Sequence, residues 1–235
     1  MVCSHQIIMN HKRLTLFAGH YGSGKTNIAV NYAIAMAKEN KKVCIADLDI
    51  VNPYFRTADS AARLEAAGVE LISPQFANTN VDLPALPAEA YRLVQNKSIF
   101  GVMDIGGDDR GAYALGRYVP YIKEEGNYRM IFVANCSRPL TRTADEAMEV
   151  MREIEAACGL PFTDIVNNTN LGPVTDPQVI DESQDFIREL CEKSGLPLYF
   201  TAVREDLVPQ LSHIPNVFPL QLQEKYFDLP NQVIR

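Results

Sequence analysis

The eight residues from Gly19 to Thr26, GHYGSGKT, constrain this chain more than any other stretch. An apolar run, LTLFAG (14–19), leads into them. A helical pattern, KTNIAVNYAIAMAKEN, follows, with Ile28, Tyr32, Ala35 and Met36 on one face at i, i+4, i+7 and i+8. Gly19, Gly24, Lys25 and Thr26 fit G-x-x-x-x-G-K-T, a turn that must follow a strand and open a helix.

The rest of the chain continues that alternation. Further candidate strands are KVCIADLD (42–49), VELIS (69–73), SIFGVMDIG (98–106), RMIFVAN (129–135), FTDIVN (162–167) and PLYFTAV (197–203). They are dense in Ile, Val, Phe and Leu with little alternation, as strands covered on both faces should be. Helical patterns lie between them. In TADEAMEVMREIEAA (143–157), Ala144, Ala147, Met148, Met151 and Ile154 share a face, and another helix is expected over about 177–193. Repeated β-α alternation predicts an α/β fold, a parallel sheet with helices on both faces. The segment with Pro74, Pro84 and Pro87 reads as a long connection followed by a short helix. No repeat or Gly/Ser linker divides the chain, so residues 1–235 read as one domain, with 1–13 a flexible or edge segment.

The loop has a physical logic. Backbone N–H groups of the turn and of the helix start point at phosphate oxygens. Gly22 and Gly24 let the backbone approach closely. Lys25 neutralises charge between the outer phosphates, and Thr26 offers its hydroxyl to Mg²⁺. The contact set expected is Gly19, His20, Tyr21, Gly22, Ser23, Gly24, Lys25, Thr26 and Asn27. Two acidic strand ends support it. One strand ends with Asp47 and Asp49, another with Asp104 followed by Gly106 and Gly107. Ligands of open α/β sheets sit beyond these strand ends. Carboxylates emerging there can hold Mg²⁺ through its waters and orient an attacking water. The D-x-x-G spacing of Asp104 and Gly107 suits a switch whose glycine N–H senses the terminal phosphate.

The order GHYGSGKT, DLDIVNPYFR, DIGGDDRG resembles the SIMIBI class of P-loop nucleoside triphosphatases, and within it the MinD/ParA group. That group also includes nitrogenase iron protein and the nucleotide-binding domain of cobyrinic acid diamide synthase. The resemblance implies a three-layer α/β/α sandwich around a seven- to eight-stranded, mostly parallel sheet. It implies binding of Mg-ATP or ADP, slow hydrolysis, and coupling to a homodimer and a protein partner. It assigns Thr26, Asp47, Asp49 and Asp104 to the metal, and catalytic roles to Lys25 at the phosphates, Asp49 at the attacking water and Asp104 in the second switch. The loop also resembles that of urease and hydrogenase maturation GTPases. Two alternatives to the switch ATPase therefore stand: a metallochaperone or maturation factor, and an ATP-binding subunit of an amidation-like biosynthetic enzyme.

One loop position departs from the group. Many members carry a lysine at the second loop position that reaches across the dimer to the partner's phosphates. Here it is His20, whose side chain is shorter than lysine's. Arg56 or Arg110 are candidate replacements for the cation. For the base, the strand end IVNNTNLG differs from the guanine-reading N-K-x-D, since its fourth position is Asn170, an amide rather than a carboxylate. Asn167 can pair with adenine through both amide ends, which favours ATP. The loop from Ala202 to Gln210 is a second candidate for lining the base.

Other classes are disfavoured. A formal net charge of −7 argues against a general nucleic-acid partner. Five cysteines without C-x-C or C-x-x-C spacing suit a reducing compartment, and no bridging iron–sulfur cluster is expected. No run approaches a membrane span, and MVCSHQIIMNHKRL lacks a signal-peptide pattern, so a cytoplasmic location is expected. His5, His11, His20 and His213 lack metal-ligand spacing, and Tyr113, Tyr118 and Tyr121 read as helix packing.

Overall fold

The computed structural model describes residues 10–49, 57–73, 88–107 and 109–223. The expected segment around Pro74 to Pro87, and Ile50 to Arg56, lie outside the described residues.

Among the described residues, eight strands form one sheet: β1 (Leu14–Ala18), β2 (Val43–Leu48), β3 (Glu70–Ile72), β4 (Phe100–Ile105), β5 (Tyr128–Ala134), β6 (Asp164–Asn167), β7 (Leu198–Arg204) and β8 (Val217–Leu220). Their order is β3-β2-β4-β1-β5-β6-β7-β8, and every pairing is parallel. From central β1 the chain builds one half of the sheet, returns as β4 beside β1, then crosses to β5 and builds the other half. Such a reversal opens a crevice at the strand C-termini.

The uninterrupted apolar runs have a simple cause. Leu14, Leu16 and Ala18 of β1 point into one core and Phe17 into the other, so both faces are buried. The first core packs against α3 (Tyr91–Gln95), α4 (Asp109–Gly116), α5 (Val119–Glu125), α6 (Ala144–Cys158) and α7 (Pro177–Ser194). The second packs against α1 (Lys25–Lys38) and α2 (Ala61–Ala66), where Ile28, Tyr32 and Met36 are wholly buried. This is the expected three-layer sandwich. Fully burying one such side chain contributes about 1.5–3 kcal/mol. α6 starts at a capping box between Thr143 and Glu146, and α7 at Asp176, whose side chain accepts from the Val179 amide.

Strand β8 was not anticipated. Pro219 lies inside it, and proline cannot donate to a ladder. β8 is the sheet edge, however, and Pro219 is exposed there, so no inward donor is lost. At the other end of β1, Arg13 is buried in an ion pair with Glu125 and donates to the carbonyls of Leu93 (2.8 Å) and Ile99 (3.0 Å). His11 bonds Tyr32 at 2.9 Å. The residues just before β1 are thus tied into the fold. Of the tyrosine cluster, Tyr118 is buried against Tyr91 (centroids 4.8 Å apart), whereas Tyr113 is exposed.

Candidate functional site

The strand pleat explains why three carboxylates meet. In β2 the row Val43, Ile45 faces α1, and two residues on comes Asp47, then Asp49. In β4, Val102 faces the same way and Asp104 follows in that row. Asp47 and Asp104 are register partners on adjacent strands. All three carboxylates therefore emerge on the side where α1 begins with Lys25 and Thr26. All five residues are buried.

Their surroundings are specific. Asp47 Oδ1 accepts from the Asp49 amide at 3.0 Å and its Oδ2 from the Thr57 amide at 3.2 Å. Thr57 Oγ1 donates to Asp104 Oδ2 at 3.0 Å. Asp104 Oδ1 is buried with no hydrogen-bond partner among the described residues. Burial pushes Asp47 up to about 7, with Asp104 adding to the shift. Burial likewise pushes Asp104 up to about 6, opposed by hydrogen bonding from Thr26 and by the charge of Lys25. An unpartnered buried carboxylate oxygen beside a second carboxylate gains from a nearby cation. Among the described residues, no three His, Cys, Asp or Glu side chains form a metal cage by themselves. The donor set suits a hard ion that keeps water and phosphate ligands, as Mg²⁺ does.

The loop between β1 and α1 is built by its neighbours. Lys25 Nζ donates to the His20 carbonyl at 3.2 Å, and the Ser23 amide donates to that same carbonyl at 3.1 Å. Gly24, at φ 89°, forms the N-cap of α1 without a side-chain cap, and no acidic residue occupies the first turn. No capping side chain competes with an anion at this helix start, unlike at α6 and α7. A Cβ on Gly24 would stand 2.3 Å from Asn168 Nδ2, which donates to the Ser23 carbonyl at 2.7 Å. A Cβ on Gly107 would stand 2.8 Å from both Lys25 Nζ and the Tyr21 amide nitrogen. The second acidic segment is thus pressed directly onto the loop. Tyr21 is 55% exposed. His20 Nδ1 lies 2.9 Å from the Tyr21 carbonyl, so that nitrogen carries the proton in this contact.

The strand end after β6 is arranged differently from the expectation. Asn167 is wholly buried, donating to Ser183 Oγ at 2.8 Å and accepting from the Thr169 amide at 3.1 Å. Its amide faces α7. Asn168 instead reaches the loop, and Asn170 turns back on the Asn168 carbonyl (2.6 Å) and the Gly172 amide (3.0 Å). A narrow cleft beyond these residues is bounded by Asn27, Asn168, Asn170, Ala202, Arg204 and Leu222. Ala202 and Arg204 belong to the expected second base loop. The larger hollow beside α2 and β3, lined by Ala61, Glu65 and Leu71, holds none of these groups. Arg56 lies outside the described residues, as does the side chain of Arg110.

Sequence reasoning missed Thr57 and Asn168. Thr57 lies ten residues beyond Asp47 with no motif to mark it. Asn168 is the neighbour of Asn167, and residue type alone does not tell which of the two amides faces the loop.

An eight-stranded parallel sheet with a glycine loop between β1 and α1 defines the α/β P-loop nucleoside triphosphatase fold. Solved structures agree at the level of fold. Cell division protein FtsY from Thermotoga maritima is 17% identical, with a TM-score of 0.54 over 83% of this chain and 63% of that one. FtsY from Mycoplasma mycoides is 16% identical, with a TM-score of 0.54 over 83% and 60%. Signal recognition particle 54 kDa protein from Aeropyrum pernix K1, in complex with GDP, is 17% identical, with a TM-score of 0.53 over 80% and 40%. The chain therefore spans less than two thirds of the length of each. No protein-family model and no curated protein matches the sequence. Among the described residues no helix is long and apolar enough to cross a membrane.

Proposed function

We propose that this protein is a Mg-ATP-binding switch ATPase of MinD/ParA type, hydrolysing ATP slowly to ADP and phosphate. The observation that carries the reading is the convergence of Lys25, Thr26, Asp47, Asp49 and Asp104 on one side of the sheet, with Gly107 packed onto the loop. In this reading the loop amides and Lys25 hold the phosphates. Thr26, Asp47 and Asp104 hold Mg²⁺, which supplies charge neutralisation at the phosphates when bound. Asp49 orients the attacking water. Gly107 and Thr57 transmit the state of the phosphates to the chain segments that change shape, and those segments meet a second copy and a protein partner.

ATP is favoured because Asn170 stands where a guanine-reading site has its carboxylate. A guanine nucleotide is the second reading, favoured by the likeness to a 54 kDa signal recognition particle protein solved with GDP. Phosphate release from Mg-ATP and Mg-GTP, measured on wild type and Asp49→Ala, tests both. ATP turnover that Asp49→Ala loses while retaining ATP binding supports the proposal. Turnover of GTP alone would replace ATP with GTP, and an Asp49→Ala enzyme as fast as wild type would remove Asp49 from the water.

A further inference from the structure

Arg138 lies in NCSRPLTR, the loop after β5, at the end of the sheet where the glycine loop opens. Its loop is held firmly. Asn135, wholly buried, accepts from the Ser137 amide through Oδ1 at 3.0 Å, and its carbonyl accepts from the Arg138 amide (3.2 Å) and Thr141 Oγ1 (2.8 Å). Leu140 adopts φ 66°, a left-handed conformation costly for a residue with a branched side chain, and it is 60% exposed. Strain of this kind persists where the surroundings impose it, and it clusters at ligand sites.

The side chain runs against the glycine loop. Its Cδ and Nε stand 3.8 Å from where a Cβ on Gly22 would be. Nε is buried and has no hydrogen-bond partner among the described residues. A buried guanidinium donor without an acceptor is an expensive arrangement. It becomes favourable if an anion occupies the space over the loop, since guanidinium and phosphate pair through charge-assisted bonds.

We propose that Arg138 is a phosphate-contacting residue of the nucleotide site, delivered from the β5–α6 loop of the same chain. This rests on the nucleotide reading above and adds to it a second cation. Lys25 is the only lysine or arginine within GHYGSGKT, and His20 occupies the position where lysine was expected. Arg138 supplies the further positive charge in cis, without requiring a partner subunit.

The test is calorimetry of the full chain with Mg-ATP and Mg-GTP for wild type, Arg138→Met, Arg138→Lys and Lys25→Ala. Methionine keeps an apolar stem on Gly22 and removes the charge, so a residue that only packs there would tolerate it. Arg138→Met is expected to weaken the preferred nucleotide roughly 10- to 100-fold, and Arg138→Lys less than Met. Melting without nucleotide checks folding, with Arg138→Gln as the second neutral variant if methionine disturbs it. Wild-type affinity in the neutral variant, alongside binding lost in Lys25→Ala, overturns the role of Arg138 and leaves the site standing. Absence of binding by the wild type overturns both.

Discussion

Thr57 and Asp104 are joined by a hydrogen bond of 3.0 Å, and the amide of the same threonine donates to Asp47. One wholly buried residue thus clasps the acidic ends of β2 and β4, the two segments expected to respond to nucleotide. Thr57→Val keeps the shape and the amide bond but removes the Thr57 hydroxyl that donates to Asp104. The expected cost is about 1–3 kcal/mol in urea unfolding. Turnover should fall more than nucleotide affinity, and Thr57→Ser should restore both. Equal activity in the valine variant would make the clasp dispensable.

The paired carboxylates set a pH dependence. Both fold with pKa values raised above the ordinary carboxylate range, Asp47 at about 7 and Asp104 at about 6. Between about pH 4 and 7 the folded state then holds more protons than the unfolded one. Stability from these groups is highest at the acid end and falls as pH rises through the folded values. Asp104→Asn removes one charge of the pair. Its melting temperature relative to wild type should therefore rise with pH, reaching about 2–4 °C above wild type at pH 8 without nucleotide. A difference that stays constant from pH 5 to 8 would contradict the pairing.

The loop depends on a fit between Gly24 and Asn168. Gly24→Ala places a Cβ at φ 89°, 2.3 Å from the Asn168 amide nitrogen. The left-handed penalty alone is about 1–2 kcal/mol. Asn168→Ala relieves the clash but strips the Ser23 carbonyl of its donor. The two changes should be strongly non-additive in urea unfolding, the double variant being more stable than the sum predicts. Simple additivity would mean that the two residues do not meet.

Much of this fold is legible in the sequence. The seven strands that were recognised are continuous apolar runs, and each is present within a residue or two of its expected bounds. β8 was hidden by Pro219, because an edge strand tolerates a residue that an interior strand excludes. Around the loop, the acidic strand ends could be placed because the pleat fixes which residues share a face. Asn167 shows the limit of that reasoning. Its type suits base pairing, but strand parity turns it toward Ser183, and its neighbour Asn168 faces the loop instead. Thr57 and Arg138 were invisible for a different reason. Each meets the site through a contact distant in sequence, and no spacing rule encodes such contacts.

Phosphate binding by the glycine loop turns most directly on Lys25. Its ammonium lies beside the loop, 3.2 Å from the His20 carbonyl and close against Gly107. The measurement is titration calorimetry of Mg-ATP into wild type and Lys25→Ala, with melting curves showing that both are folded. Saturable binding by the wild type and a loss of roughly 100-fold or more in the variant are expected, since a charged phosphate partner is removed from a buried position. Equal ATP affinity in the two proteins would contradict the assignment of this loop to phosphate.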